Sequence, residues 1–243
     1  MMSINWLEPD WPAPNNIRAL TTLRTGGVSV PPFASLNPAT HVGDNPENVE
    51  RNRKILRTEL ELHHDPIWLN QVHGTAVVQA DQVNGLPTAD ASWTTQANVV
   101  CTVMTADCLP VLYCSTDGAV VAAAHAGWRG LLAGILTSTY LAMQKSEVLV
   151  WLGPAIGPQV FEVGPEVREA FIAKNPEFGT AFVVQDAQHY LADIYQLARI
   201  ELAALGIKNI YGGDFCTYTD AQRFFSYRRD QQTGRMATLI WKT

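Results

Sequence analysis

Three residues at separate points of the chain carry side chains that bind metals or act as nucleophiles. Cys108 directly follows Asp107, and His125 lies further along the chain. His73 ends an apolar stretch and precedes a glycine, an arrangement typical of loops in which functional residues collect. Imidazole nitrogen and thiolate sulfur bind zinc, and three protein ligands leave a fourth position for water or substrate. We therefore predict a metal site of His73, Cys108 and His125 for zinc, or for copper, which accepts the same ligands.

A predicted β-hairpin explains how Cys108 and His125 meet. Apolar strands are expected over Leu109–Cys114 and Ala119–Ala124, and the polar segment Ser115–Gly118 between them is typical of a turn. A hairpin returns the chain to the point at which its first strand began. We therefore expect Cys108, just before the first strand, to lie close to His125, just after the second.

Asp107 is the predicted proton-transfer group of this site. A metal ion lowers the pKa of bound water to about 7, and a neighbouring carboxylate can accept the released proton. The alternative is that Asp107 only caps the turn after the preceding strand. Without a metal, Cys108 would be a nucleophile and His125 its base. The predicted catalytic residues are therefore Asp107, Cys108 and His125.

Arg129 is a candidate for binding an anion. It stands between Gly127 and Gly130, where a helix is expected to begin. Free amide groups at a helix start bind anions, and an arginine adds a two-pronged donor. Phosphate or a substrate carboxylate would fit this arrangement. The alternative is a surface arginine that pairs with an acidic residue.

The composition limits the classes of partner. The chain has 243 residues and a net charge of −6, with 47% hydrophobic and 16% charged residues, as expected of a well-packed globular protein. It has no basic run, so nucleic acid is not a predicted partner. It also has neither an apolar run long enough for a membrane span nor the pattern of a signal peptide. With four cysteines and no export signal, we predict reduced thiols and a cytoplasmic location.

Strand and helix patterns alternate along the chain, which predicts an α/β protein of the α+β type. We expect one domain over residues 1–243, with mixed β-sheets between outer helices. Helices are expected over 46–62, with Asn45 as the N-cap, and over 128–143 (interrupted by Gly134), 165–174 and 193–205. Further strands are expected over 18–24, 66–72, 76–80, 99–105, 148–152, 181–184, 207–211, 224–227 and 236–241, and an irregular arm over 6–14.

Seven short motifs, in order along the chain, resemble those of the laccase-domain family. They are Arg24–Ser29, Ser35–Asn37, His41–Asp44, Gln71–Gly74, Thr105–Pro110, His125–Gly130 and Leu152–Gly157. The resemblance covers nearly the whole chain, from about Trp11 to Trp241. One departure is that Pro38 and Ala39 follow Asn37 where the family usually has Leu-Gly, which concerns the shape of that loop.

The resemblance implies a single α/β domain whose core is similar to the fold of cysteine-hydrolase toxins. It also implies that His73, Cys108 and His125 bind a metal, usually zinc. The implied activity is the phosphorolysis of adenosine, inosine and methylthioadenosine, with deamination of adenosine as a second reaction. Purine nucleosides and phosphate are the expected partners. The expected substrate-binding residues are Arg24, Asn37, Gln71, Arg129 and Arg228, with one of Trp128, Tyr218, Phe225 and Tyr227 stacking on the purine.

Three alternatives stay open beside this activity. The first is a metal-free Cys/His hydrolase that acts on a peptidoglycan precursor or another amide. The second is phenol oxidation as a side activity of a single copper ion, and the third is a nucleoside-binding protein without turnover. A multicopper oxidase is not expected, because its trinuclear cluster needs many imidazoles. The chain has six histidines, of which His63, His64 and His189 are predicted to be surface residues.

Overall fold

The computed structural model describes residues 4–144 and 147–243. Its strands are β1 (Trp6–Leu7), β2 (Ile17–Thr22), β3 (Val77–Gln79), β4 (Ala91–Thr94), β5 (Cys101–Thr105), β6 (Leu109–Ser115), β7 (Val121–Ala126), β8 (Val148–Leu152), β9 (Glu162–Val163), β10 (Phe182–Val184), β11 (Tyr190–Ala192), β12 (Ile210–Gly212) and β13 (Met236–Lys242). Its helices are α1 (Pro46–Glu59), α2 (Trp128–Ala133), α3 (Ile135–Met143), α4 (Pro165–Lys174), α5 (Ile194–Ala204) and α6 (Tyr227–Asp230). The predicted mixture of sheets and helices is confirmed.

A six-stranded sheet contains the strands that flank the candidate site. Its order is β12-β8-β6-β7-β4-β3. The outer pairs β12–β8 and β3–β4 are parallel, whereas β8, β6, β7 and β4 pair antiparallel, so the sheet is mixed. Every residue of β6 and β7 is buried. The sheet is therefore covered on both faces.

The alternation of side chains along β6 explains the two covered faces. Val111 and Tyr113 join the core that includes Ile135 of α3 and Leu197 of α5. Leu112, between them in the chain, points to the opposite face and joins a core that includes residues of β2, β5 and β13. Successive side chains of a strand point to opposite faces, so a strand buried on both sides has an almost wholly apolar sequence.

A second, four-stranded sheet covers this opposite face. Its order is β1-β2-β13-β5, and all its pairs are antiparallel. On its far side, Leu56 of α1 packs in a core with Leu20 and Leu239. The two sheets thus lie between α1 on one side and α3 and α5 on the other, as predicted. A small antiparallel sheet, β10-β11-β9, completes the fold.

The helices begin and end at residues with known capping chemistry. The Asn45 side chain accepts a hydrogen bond from the Glu47 amide at the start of α1, as predicted, although the helix ends at Glu59 rather than near residue 62. Gly134 is left-handed (φ +99°) and separates α2 from α3, which confirms the predicted interruption. None of the helices in residues 4–144 and 147–243 has the length and apolar character needed to cross a lipid bilayer.

Two predicted strands are wrong. Residues 66–72 form only isolated bridges at Ile67 and Asn70, because the amide groups at the end of this segment bond to a side chain instead of a neighbouring strand. Residues 224–227 do not form a strand either, because the Ser226 hydroxyl accepts a hydrogen bond from the Arg229 amide and begins α6. The predicted irregular arm also contains the short strand β1.

Candidate metal centre

The side chains of His73, Cys108 and His125 converge. One ligand atom from each lies within 4.8 Å of the other two. Cys108 Sγ and His73 Nε2 are 3.8 Å apart. A tetrahedral zinc site, with Zn–S of about 2.3 Å and Zn–N of about 2.0 Å, places sulfur and nitrogen about 3.5 Å apart. The donor types therefore suit a metal ion, and the separation of Cys108 Sγ from His73 Nε2 is close to that of such a site.

The predicted hairpin brings Cys108 to His125. Strands β6 and β7 pair antiparallel, with Leu109 opposite Ala126 and Pro110 opposite His125. Cys108 directly precedes β6, so the register of the central sheet fixes the separation of thiol and imidazole. The hairpin is confirmed, with its second strand beginning at Val121 instead of residue 119.

Asp90 holds the third ligand in place. It is fully buried, and its carboxylate accepts hydrogen bonds from the backbone amides of Val72 (3.2 Å), His73 (2.9 Å) and Gly74 (2.7 Å). The same carboxylate contacts Nδ1 of His125 at 2.8 Å. One buried side chain thus fixes the loop that carries one imidazole ligand and the ring of the other.

Two glycines leave room for the loop that carries His73. A Cβ added at Gly127 would lie 2.6 Å from His73 Cδ2 and 3.0 Å from Cys108 Sγ. A Cβ added at Gly130 would lie 3.2 Å from the carbonyl oxygen of Gly74. These glycines, interpreted from the sequence as part of an anion site around Arg129, therefore have a packing role beside the metal ligands.

The surroundings of the metal group favour the thiolate form of Cys108. Burial opposes the charged thiolate, but the neighbouring imidazoles of His125 and His73 lower the pKa of Cys108 to about 6. Burial also opposes the imidazolium, but the Cys108 thiolate and the Asp90 carboxylate raise the pKa of His125 to about 9. The thiolate is both the metal-binding and the nucleophilic form of cysteine. Cys108 is therefore in the form that can either bind a metal ion or act as a nucleophile.

The trio opens on a cavity of about 300 Å³. The cavity is lined by His41, Gln71, His73, Met104, Thr105, Ala106, Cys108, His125, Tyr227 and Arg235. This lining includes three imidazoles and one guanidinium but no aspartate or glutamate, and the Cys108 thiol, which is acidic, belongs to the metal group. The lining therefore favours a ligand with an anionic or hydrogen-bond-accepting group.

Asp107 belongs to the wall behind the site. It is buried, with a left-handed backbone (φ +95°), and is not among the residues that line the cavity. Its two carboxylate oxygens accept hydrogen bonds from the Thr217 hydroxyl at 2.6 Å and from the Arg228 amide at 2.7 Å. These bonds tie the turn before Cys108 to Thr217 and to the first turn of α6. Its proton-transfer role stays a prediction.

Gln71 and Asn37, two residues predicted to contact substrate, use their side chains in hydrogen bonds within the protein. Gln71 lines the cavity, and its amide bonds to both the N–H and the carbonyl of Met104, each at 2.8 Å. Asn37 is fully buried, donates to Asp44 at 2.9 Å and accepts from the backbone amide of Arg235 at 3.1 Å. Asn37 therefore acts on the cavity through Arg235.

The three predicted arginines do not line the cavity. Arg129 is exposed, and its guanidinium lies 4.2 Å from the ring centre of Trp128. The guanidinium of Arg228 donates to the carbonyl of Glu162, and that of Arg24 donates to the carbonyls of Ala34 and Ala221. Their roles as substrate contacts stay predictions.

The sequence prediction missed Asp90 and Arg235. A signal for Asp90 exists, because an acidic residue between two alanines has small apolar neighbours on both sides, and a buried carboxylate needs partners. Arg235 has no such signal, since only the tertiary structure brings it to the cavity. Tyr227, by contrast, was one of the predicted aromatic candidates and does line the cavity.

Comparisons with known proteins identify the family. Residues 18–243 match a family described as multi-copper polyphenol oxidoreductase laccase. The chain belongs to this family. It is 55% identical over 239 residues to a Pseudomonas aeruginosa protein named purine nucleoside phosphorylase, covering 97% of this chain and 98% of that protein. An Escherichia coli protein of the same name is 54% identical over 241 residues, with the same shares covered.

Solved structures of the family agree with the fold. A Neisseria meningitidis protein superposes with a TM-score of 0.95 at 51% identity, covering 98% of this chain and 99% of that one. The protein YlmD from Geobacillus stearothermophilus gives a TM-score of 0.89 at 32% identity, covering 98% and 96%. The resemblance inferred from the motifs is therefore confirmed.

The family description names several copper ions, but the site found here suits one ion. Within residues 4–144 and 147–243, His73, Cys108 and His125 form the one group of at least three clustered side chains able to hold a metal. A trinuclear copper cluster needs more imidazoles than this group has. The geometry is that of a site with three protein ligands and room for a further one.

Proposed function

We propose that this chain is a zinc-dependent purine nucleoside phosphorylase that splits adenosine, inosine or methylthioadenosine and also deaminates adenosine. The observation that carries the proposal is the His–Cys–His group at a cavity of about 300 Å³, in a chain more than half identical to two proteins named for phosphorolysis. A cavity of this volume is at the lower end of small-molecule sites. In phosphorolysis, the glycosidic C–N bond breaks, a phosphate oxygen bonds to C1′, and the purine leaves with a proton on its nitrogen.

His73, Cys108 and His125 would hold the zinc ion. Bound zinc supplies Lewis acidity and lowers the pKa of a coordinated water. The contact between Asp90 and Nδ1 of His125 favours the tautomer in which Nε2 is free to act as a ligand. The four cysteines are free thiols, which suits the cytoplasmic location that we propose.

Asp107 is kept as the proposed proton-transfer group, and an Asp107→Asn variant tests it. A large loss of kcat at unchanged zinc content and unchanged thermal stability supports proton transfer. Loss of zinc or of folding instead indicates that Asp107 mainly ties its turn to Thr217 and Arg228, whose groups bond to its carboxylate.

The proposed activity is tested by phosphate-dependent release of adenine from adenosine. The zinc-loaded protein should release adenine only when phosphate is present, and Cys108→Ala should remove both bound zinc and activity. Cys114→Ala is a matched control, because Cys114 is a fully buried thiol of β6 that is not part of the metal group. Unchanged activity in Cys108→Ala would refute the proposal.

A metal-free Cys/His hydrolase is the second candidate. It is favoured by the pairing of Cys108 with His125, which lowers the pKa of the thiol to about 6 although burial opposes this. Its substrate would be a peptidoglycan precursor or another amide. Chelation separates the two candidates: the phosphorylase loses activity with its zinc, whereas the hydrolase keeps activity after chelation and loses it on treatment with iodoacetamide.

A further inference from the structure

Arg235 presents an unused donor group at the wall of the cavity. It lies just before β13 and is half-buried. Its backbone amide donates to Asn37, and Nη1 donates to the carbonyls of Thr233 and Gly234, each at 3.0 Å. The side chain is therefore held at one end by one of its three nitrogens.

The other two nitrogens of Arg235 are available to a ligand. Among the described residues, Nε and Nη2 have no hydrogen-bond partner, and no carboxylate forms an ion pair with this guanidinium. Nε–H and one N–H of Nη2 form the parallel pair of donors that matches two oxygens of phosphate or carboxylate. An arginine that lines a cavity without this pair in use is a candidate anion site.

A second donor lies close to Arg235. His41 lines the same cavity and has no hydrogen-bond partner among the described residues. Burial lowers the pKa of His41, and the charge of Arg235 lowers it further. His41 is therefore neutral at physiological pH and can donate one N–H without adding charge.

We propose that Arg235, assisted by His41, forms the inorganic-phosphate subsite of this cavity. The assignment rests on the proposed phosphorolysis, because that reaction needs a phosphate beside the nucleoside. Three features select an anion: the two-pronged donor of Arg235, the His41 donor, and a lining without aspartate or glutamate. Orthophosphate fits a subsite of this kind, since its oxygens accept from several donors at once.

The kinetic test compares phosphate-dependent and phosphate-independent reactions in the same variants. Arg235→Gln should raise KM for phosphate about 10- to 100-fold, the effect of losing hydrogen bonds to a charged group. KM for adenosine in deamination, which uses no phosphate, should stay within about 3-fold. Arg235→Lys should recover only part of the phosphate affinity, because an ammonium lacks the two-pronged geometry. Arg51→Gln, at an exposed arginine of α1, is the control for the change in net charge.

Direct binding separates this inference from the proposed function. Inorganic phosphate is titrated calorimetrically into the zinc-loaded protein without nucleoside. Binding to the wild type and to Arg51→Gln that is lost in Arg235→Gln supports the subsite, even if no phosphorolysis is found. Equal binding in the wild type and Arg235→Gln overturns it, as does no binding in the wild type.

The variant itself is checked for folding and zinc content. If Arg235→Gln does not fold, Arg235→Lys and His41→Ala take its place, and KM for phosphate must rise in both. A parallel loss of kcat in phosphorolysis and deamination, with unchanged KM for phosphate, would also overturn the inference.

Discussion

Replacing Asp90 with asparagine is the sharpest test of how this fold holds a metal. The carboxylate uses Oδ1 to contact the His73 amide and Nδ1 of His125, and Oδ2 to accept from the amides of Val72 and Gly74. Asparagine has one oxygen and one NH₂ group in nearly the same shape. An NH₂ group in the position of Oδ2 faces two amide donors, whereas in the position of Oδ1 it faces the His73 amide and requires Nδ1 of His125 to accept.

Each orientation of the asparagine amide disturbs a different metal-binding histidine. If the NH₂ group faces His125, it favours the tautomer in which Nδ1 accepts and Nε2 carries the proton, which blocks the nitrogen that faces Cys108. If the NH₂ group faces the amides of Val72 and Gly74, the loop that carries His73 loses two hydrogen bonds. At about 1.5 to 3 kcal/mol for each hydrogen bond to a charged group, the expected loss of unfolding free energy in this orientation is about 3 to 6 kcal/mol.

The decisive measurement is zinc affinity. Loss of a carboxylate behind a metal-binding histidine costs about 10- to 100-fold in affinity, so competition against a coloured chelator should show a shift of that size in Asp90→Asn. Asp193→Ala is the matched control, because the Asp193 carboxylate accepts from two backbone amides at the start of α5, away from the metal ligands. It should lower thermal stability but leave zinc affinity unchanged. Unchanged zinc affinity in folded Asp90→Asn would refute the argument.

Three further predictions follow from packing and pKa. Gly127→Ala places a methyl carbon 2.6 Å from the His73 ring, so zinc affinity should fall about 10-fold or more, whereas Gly179→Ala, with added contacts of 3.5 Å, should keep it. In the chelated protein at pH 7, iodoacetamide should modify Cys108, whose pKa is about 6. It should not modify the buried cysteines of β5 and β6, because burial raises their pKa to about 12. Peptide mass spectrometry that found equal modification of all these cysteines would contradict the prediction. Burial raises the pKa of Glu201. The stability that its protonated side chain contributes to the folded protein is therefore present at low pH and lost as the pH rises. Glu201→Gln should therefore be more stable than the wild type in urea unfolding at pH 8 and lose this advantage at low pH.

The hairpin part of the site could be predicted because its information is local. The turn residues between two apolar runs fix which strands pair, and pairing brings Cys108 to His125 without any knowledge of the remaining fold. The helix that begins after Asn45 was predictable for the same reason, since a cap acts within one turn. The hairpin and the helix start depend on residues that are close in sequence, so one amino-acid sequence is enough to predict them.

The contacts of His73 could not be predicted in this way. Its loop looked like a strand because its residues are apolar, yet its amides bond to Asp90, and no local pattern records that competition. Arg235 likewise lies far along the chain from Cys108, and its backbone amide is fixed by a hydrogen bond to Asn37. Such contacts arise from packing between distant segments.

The glycines around Arg129 illustrate a different difficulty. A glycine beside a helix start is compatible with an anion site and also with the close approach of another segment. The two interpretations differ only in what lies opposite the glycine, and here the segment opposite is the loop of His73 and Gly74. The glycines indicated that space is limited beside the start of this helix, but they did not indicate which segment lies there.

The three ligands are therefore held by unequal means. Cys108 and His125 are fixed by the register of fully buried strands, which cannot shift without disrupting the central sheet. His73 lies on an irregular loop, has a left-handed backbone (φ +61°), and depends on one carboxylate and on two glycines for its place. A change in metal affinity without a change in fold should consequently arise at this loop. Substitution of Asp90 would also disturb Nδ1 of His125, and a Cβ at Gly127 would also approach Cys108 Sγ. Neither change shifts the register of β6 and β7, so the backbone positions that bring Cys108 beside His125, which the metal-free hydrolase alternative requires, would stay.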